Sequence, residues 1–98
     1  MKSNLFLQKQ GIFYEDINQY VLDRENALKY IEILYQEKKI ILGGDVLAYD
    51  EDGFYHTYDN WFLEKDKLNI EQSYFYTKSY IENYSSSNVV YFNIVVQL

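Results

Sequence analysis

The most regular hydrophobic pattern in the chain lies between Asp23 and about Lys39, where apolar residues recur at helical spacing. Asp23 is suited to accept hydrogen bonds from the free amides of a first helical turn. A second segment, from Ile70 to about Tyr84, repeats apolar residues with a similar period. The pattern therefore predicts two main amphipathic helices.

Three further segments have the length and the β-branched or aromatic content typical of strands, at residues 40–49, 54–63 and 89–96. The first two flank Asp50-Glu51-Asp52-Gly53, a sequence that favours a hairpin turn. Residues 1–22 are less regular. The element predicted there is a short helix from Ser3 to Gln10, closed by Gly11.

This order of elements predicts a single α+β domain over residues 1–98, in which a small antiparallel or mixed sheet of at least three strands carries the two main helices on one face. If Tyr49 opposes Phe54 across the turn, the pleat separates small aliphatic residues from a polar and aromatic face that also includes Ile41. The polar members of this second face are Asp45, Tyr49, His56, Tyr58, Tyr91 and Asn93. We expect helices to cover the aliphatic face, and solvent or a partner to meet the other.

The charge balance narrows the classes of partner. Nine basic residues against fifteen acidic ones give a formal charge of −6, which disfavours nucleic acid as a partner. Hydrophobic residues at 48% and charged residues at 24% exclude a disordered chain and a membrane protein. The chain has no cysteine, hence no disulfide or thiolate zinc site, and its N-terminus has no apolar stretch. We expect a cytoplasmic protein.

Tyrosine is the residue type in clearest excess, with twelve copies. A tyrosine side chain combines a rigid apolar ring with a polar tip, which suits contact surfaces. The same excess would also follow from the codon bias of an AT-rich genome, and composition alone leaves both explanations open.

Candidate catalytic and metal-binding residues are few. Asp50-x-Asp52-Gly53 resembles the start of a calcium loop, but Trp61 stands where the closing carboxylate is required, so a hairpin turn is the better interpretation. His56 is the single histidine, which excludes a multi-histidine metal site. The sequence predicts no metal site, no cofactor and no catalytic residue. An alternative is a small hydrolase or RNA-modifying enzyme that uses His56 and Asp45 as acid and base.

Gly43-Gly44-Asp45 interrupts the first strand of the hairpin. Paired glycines in a strand indicate a bulge or the close approach of another group, and we expect Trp61, almost opposite, to occupy the space that they leave. Asp45 lies in mid-strand, so its carboxylate must be exposed or hydrogen-bonded.

Acidic residues cluster around the hairpin, at Asp45, Asp50, Glu51, Asp52 and Asp59. One interpretation is a solvated edge that discourages aggregation between sheets. The other is an interface for a basic protein, in which charge steers association and aromatic rings anchor the complex. The sequence favours neither.

Four segments carry a resemblance to a known family: ILGGDV (Ile41 to Val46), Asp59-Asn60-Trp61, Glu71-x-Ser73 and YFNIVV (Tyr91 to Val96). From about Asp23 onwards, the chain resembles the immunity proteins of bacterial polymorphic toxin systems, specifically family forty. The positions that match its motif are Gly43, Gly44, Asp45, Asn60 and Trp61.

The resemblance implies a non-catalytic protein that binds a cognate toxin, expected to be basic, and blocks its action in the cytoplasm. We assign Gly43, Gly44, Asn60 and Trp61 to the motif or to the architecture. The residues that we expect to bind the partner are Asp45, Tyr49, Asp50, Asp52, His56, Tyr58, Asp59 and Tyr91. We expect a monomer or weak homodimer, and a regulatory subunit that self-associates through the tyrosine face is a further alternative.

Overall fold

The computed structural model describes residues 2–98 and divides them into three α-helices, a short 3-10 helix and five strands. The helices are α1 (Lys2–Gln10), α2 (Arg24–Gln36) and α3 (Ile70–Asn83), and the 3-10 helix is Lys65–Lys67. The strands are β1 (Ile12–Tyr14), β2 (Gln19–Asp23), β3 (Ile41–Asp50), β4 (Gly53–Phe62) and β5 (Val89–Val96). The predicted α+β class is confirmed.

The strands form one antiparallel sheet in the order β1-β2-β5-β3-β4. The last strand in the chain, β5, lies between β2 and β3. It therefore joins the N-terminal hairpin, formed by β1 and β2, to the hairpin formed by β3 and β4. β3 is paired on both sides, while β4 and β1 are the edges. Tyr49 does oppose Phe54, and the Asp50–Gly53 turn closes the hairpin as predicted.

The N-terminal segment contains more structure than its pattern indicates. The predicted short helix is present as α1, and the Gly11 amide donates to the Leu7 carbonyl at 2.9 Å. A Cβ at Gly11 would lie only 2.7 Å from that carbonyl oxygen and 3.1 Å from the Tyr20 ring, so the close approach requires glycine here. Strands β1 and β2 follow and were not predicted, because they are short and have no clear alternation.

Helix α2 has well-defined caps at both ends. Asp23 Oδ1 accepts from the Asn26 amide at 2.8 Å, which confirms the predicted N-cap. At the C-terminus Lys38 adopts a left-handed conformation with φ 59°. Its amide donates to Tyr35 O, and the next amide donates to Leu34 O, which is the pattern of a Schellman motif.

A polar contact ties the start of α1 to the end of α2. The Ser3 amide donates to Glu37 Oε2 at 3.2 Å, so this carboxylate caps the first turn of α1 from another helix. Hydrogen bonding from Ser3 lowers the pKa of Glu37 although desolvation opposes it, and the nearby Lys39 ammonium, 3.7 Å away, acts in the same direction as the hydrogen bonds.

The helices cover one face of the sheet. α1 and α3 both pack against α2, so the three helices within residues 2–98 lie on the same side. Their shared core is formed with sheet residues that are almost fully buried, among them Leu22, Val46 and Phe92. The two main helices are therefore on one face, as predicted.

The prediction that Ile41 belongs to the opposite face is wrong. Ile41 is 1% exposed within the helix-side core, and its amide donates to Ser73 Oγ of α3 at 3.1 Å. The cause is an irregularity in the pairing of β3 with β5, because Ile41 opposes Val96 whereas Gly43 opposes Val95. One extra residue on β3 reverses the side to which the first strand residue points.

Candidate protein-binding surface

Six aromatic side chains form a connected cluster on the side of the sheet opposite the helices. We refer to Tyr14, Tyr49, Phe54, His56, Tyr58 and Tyr91 as the aromatic face. Phe54 is at its centre, with ring centroids 5.0 Å from Tyr49, 5.1 Å from Tyr91 and 5.3 Å from Tyr14. His56 continues the cluster to Tyr58 at 6.0 Å. The edge-to-face geometry at Tyr49 and Tyr91 is one that aromatic pairs prefer.

The aromatic face is partly exposed. Tyr58 is 87% exposed and Tyr49 is 47% exposed, while Phe54 and Tyr91 are half-buried and support them. Further along β4, Phe62 is 72% exposed beside a shallow depression of about 290 Å³ that Asp45 also lines. Exposed rings grouped on one side of a sheet make this surface a candidate for contact with a protein or a ligand.

The N-terminal hairpin extends over part of the same face. The Tyr14 hydroxyl donates to Asp16 Oδ2 at 2.8 Å and approaches the Phe54 carbonyl at 3.3 Å, so β1 contacts β4 across the sheet. The hydrogen bond to Asp16 raises the pKa of Tyr14, with smaller contributions from burial and from the Asp16 charge. Beneath this cover Leu47 is fully buried. The face is thus a half-covered platform with its exposed part on β3 and β4.

Asn93 is buried and does not belong to the exposed face predicted from the sequence. We expected this residue to meet water or a partner, but it is 2% exposed. Its amide nitrogen donates to Gln19 Oε1 and approaches the Tyr20 carbonyl at 3.4 Å, which links β5 to β2. The expectation was wrong because β2 and its covering hairpin were not recognised in the sequence.

A bulge in edge strand β4 positions Tyr58. Asp45 pairs with Asn60 and Leu47 pairs with His56, so residues 57–59 stand opposite Val46 alone. The offset is two residues, which preserves the two faces of the strand on either side of the bulge. Within it Tyr58 has φ 67°, a left-handed conformation that is uncommon for a bulky residue.

Side chains on both sides hold the bulge in place. Thr57 Oγ1 donates to the Val46 carbonyl at 2.8 Å and accepts from the Asp59 amide at 3.1 Å. From the end of α3, the Tyr84 hydroxyl donates to Asp59 Oδ2 at 2.6 Å. Burial, followed by this hydrogen bond, raises the pKa of Tyr84, so its hydroxyl remains a donor.

Asp59 therefore lies apart from the other acidic residues that were assigned to the partner. Its carboxylate is directed toward α3, on the helix side of β4. Asp45 is exposed, and it is flanked by Asn60 and Asn93 on the two neighbouring strands. At the turn, Asp50 Oδ1 accepts from the Asp52 amide at 2.8 Å, which leaves Asp50, Glu51 and Asp52 exposed at one end of the aromatic face. The binding roles of these residues stay predictions.

Charge is segregated between the helices and the sheet. Within residues 2–98, all nine lysines and arginines lie in the helices or in the segments that join helices to strands. The five strands and the two hairpin turns carry no basic residue and contain eight carboxylates. The aromatic face is built from this part of the chain, so its own strands and turns contribute negative charge and no positive charge.

The motif glycines are explained by the close approach of Trp61. The indole is 3% exposed, stacks on Tyr80 at 4.7 Å and donates through Nε1 to Thr77 Oγ1 at 3.1 Å. Gly44 pairs directly with Trp61, and a Cβ at Gly44 would overlap with the indole ring. A Cβ at Gly43 would overlap with the Trp61 carbonyl. At Gly44 the indole occupies the space as expected, together with the Asn93 carbonyl, whereas at Gly43 the space is taken by the backbone of Trp61 and Phe62.

Asp45 and His56 are not arranged as an acid and base pair. Asp45 on β3 is paired with Asn60 on β4, whereas His56 is paired with Leu47. The bulge at residues 57–59 lies between Asn60 and His56. No hydrogen bond between them is found in the described part of the chain, where His56 instead neighbours the rings of Tyr14 and Tyr58. The same residues 2–98 contain no group of three carboxylate or histidine side chains that would hold a metal ion.

Comparison with known proteins adds one finding. Residues 6–96 match the family model Imm40, whose description is Immunity protein 40. No curated protein and no solved structure gave a significant match. Over residues 2–98, every helix is too short or too polar to cross a membrane.

Proposed function

The chain belongs to the Imm40 family of immunity proteins, and from this premise we propose that it neutralises a cognate toxin of a polymorphic toxin system by binding it. In this proposal the aromatic face, together with Asp45 and the acidic turn Asp50–Asp52, covers the active site or substrate groove of the toxin. The protein itself performs no catalysis. It acts in the cytoplasm, where the toxin would otherwise reach its target.

The segregation of charge is the observation that carries this proposal. A partly exposed aromatic cluster on strands and turns whose charged residues are all carboxylates has the composition of an interface for a basic protein. The rings supply apolar area that loses water on binding, and the carboxylates accelerate the encounter with a cationic partner. A homodimer through the same face would instead bring like charges together, which favours a free monomer.

The size of the protein is adequate for such a complex. A standard interface buries about 800 Å² on each partner, and the protein has 6319 Å² of accessible surface. Tyr49 and Tyr58 are the exposed tyrosines of the aromatic face and would lie near the centre of the contact. His56 and Tyr91 would support them, with Asp45, Asp50 and Asp52 around them.

Co-expression tests the proposed activity. The open reading frames adjacent to the gene for this chain, and their C-terminal domains, are expressed one at a time in a heterologous bacterium with and without the chain. We expect one of them to be toxic alone and tolerated in the presence of the chain, and to co-purify with it. If none of these products is relieved by the chain, the proposal is contradicted.

A matched pair of double variants tests the surface. Tyr49→Ala with Tyr58→Ala should abolish protection while circular dichroism and the melting temperature remain close to wild type. The control, Phe75→Ala with Tyr76→Ala, removes two exposed aromatic rings on α3 and should protect normally. Equal protection by both variants would show that the toxin binds elsewhere. A stable dimer of the free chain in light scattering, lost in the first variant, would favour self-association instead.

A further inference from the structure

We propose that Tyr58 is the principal anchor of this interface and that the β4 bulge serves to present its ring to a cationic cleft of the toxin. This inference rests on the proposed function and specifies which residue carries most of the binding energy. The geometry that supports it is the left-handed backbone at Tyr58 combined with 87% exposure of its side chain.

Tyr58 differs from the other residues with a left-handed backbone, because the local structure does not explain its conformation. Within residues 2–98, the non-glycine residues with positive φ are Asn18, Lys38 and Tyr58. Asparagine tolerates this conformation in turns, and Lys38 closes the Schellman motif of α2. Tyr58 has neither explanation, since it lies within a strand and its nearest aromatic neighbour is the exposed His56 at 6.0 Å. Glycine or asparagine would occupy this backbone with less strain.

The rest of the structure fixes the strained conformation. Before Tyr58 in the chain, the Thr57 hydroxyl donates to the Val46 carbonyl of β3. After it, the Asp59 carboxylate accepts from the Tyr84 hydroxyl. Residues on both sides of Tyr58 are thereby fastened, while Tyr58 itself projects from the edge strand. Strain that is held in this way, at a residue with no packing role, is typical of functional positions.

The surroundings of the ring indicate the chemistry of its partner. The strands and hairpin turns of the described chain contain no lysine or arginine, so the exposed face of the ring has no cation from its own sheet. An electron-rich ring in an acidic setting fits a pocket lined by arginine or lysine, where cation–π contact adds to apolar burial. The inferred target is therefore a basic cleft of the toxin rather than an apolar groove.

Tyr58→Gly and Tyr58→Asn test the inference because each should weaken binding to the toxin without lowering the stability of the fold. Both remove the ring and relieve the strained backbone. We expect affinity for the toxin domain identified by co-expression to fall at least about tenfold, while the melting temperature is unchanged or higher. Tyr76→Ala is the control for loss of an exposed tyrosine on the helix side, and it should leave affinity unchanged.

Binding kinetics separate anchoring from steering. In surface plasmon resonance, the Tyr58 variants should dissociate faster with little change in association rate, whereas Asp45→Asn should mainly slow association and reduce its salt dependence. Wild-type affinity in Tyr58→Gly would overturn the inference, and so would a melting temperature that falls by several degrees, because the ring would then be structural. If the wild-type chain binds none of the tested products, the proposed function fails and not this inference alone.

Discussion

Gly44→Ala is predicted to destabilise the protein severely, because the new methyl group has no space on either side. One side is occupied by the Asn93 carbonyl of β5 and the other by the Trp61 indole, whose Cζ2 atom would lie 2.8 Å from the methyl group. The backbone oxygen is fixed by strand pairing, since Gly44 pairs with Ile94 and with Trp61. The indole is fixed by its stack on Tyr80 and its hydrogen bond to Thr77.

The magnitude follows from overpacking. Extra methyl groups in well-packed sites typically cost 1–3 kcal/mol, and a site blocked on two sides by groups that cannot yield belongs at the upper end, about 3 kcal/mol. For a domain of this size that loss lowers the melting temperature by roughly 12 °C or more. It would also remove a large part of a total stability that is on the order of 5–15 kcal/mol.

Urea unfolding measures the effect, and a double-mutant cycle divides it between the two neighbours. In a Trp61→Phe background the benzo ring of the indole is absent, so the cost of Gly44→Ala should fall and the remainder reports the Asn93 carbonyl. An additive cycle would show that the indole does not restrict Gly44. A Gly44→Ala cost below about 1 kcal/mol would refute the packing account altogether.

Two further predictions concern polar contacts that hold the fold and the site. Ser3 lowers the pKa of Glu37 in the folded protein, so the ionised Glu37 carboxylate stabilises the fold fully above the ordinary pKa of 4.5. This stabilisation is lost as the pH falls through the lowered pKa. Glu37→Gln should therefore be less stable than wild type at pH 7, and urea titrations at a series of pH values should show this difference shrinking below about pH 4.5. Thr57→Val should cost about 1 kcal/mol in the same assay and weaken toxin binding, since the Val46 carbonyl and the Asp59 amide both lose their hydroxyl partner, whereas Thr57→Ser should retain both properties. A pH-independent difference at Glu37, or a Thr57→Val protein that is as stable as wild type, would contradict the respective assignment.

Much of the fold was predictable where periodicity is strong over many residues. Strand β5 has the predicted bounds, and helix α2 begins at the predicted Asp23 cap but ends at Gln36 and not near Lys39. The hairpin register near the turn also followed from the pairing of Tyr49 with Phe54. These elements are defined by local signals, since capping, turn chemistry and side-chain period act within a few residues of one another.

The site was predictable only in part. The alternation of β3, β4 and β5 correctly grouped Tyr49, His56, Tyr58 and Tyr91 on one side of the sheet. It gave no indication that Tyr14 joins them, because that contact depends on a hairpin from residues distant in sequence. Composition gives the number of tyrosines, twelve, but not which of them lie in the core and which at the surface.

The sequence by itself determined the class of fold, the acidic character and the motif that indicates an immunity protein. Tertiary structure decided which face each residue occupies wherever a strand is irregular. The extra residue near Leu42 moved Ile41 into the core, and the bulge at residues 57–59 gave Tyr58 its exposed, strained position. Both outcomes depend on how three strands fit together, and β-pairing over such distances is governed by side-chain volumes and hydrogen bonds that no local pattern encodes.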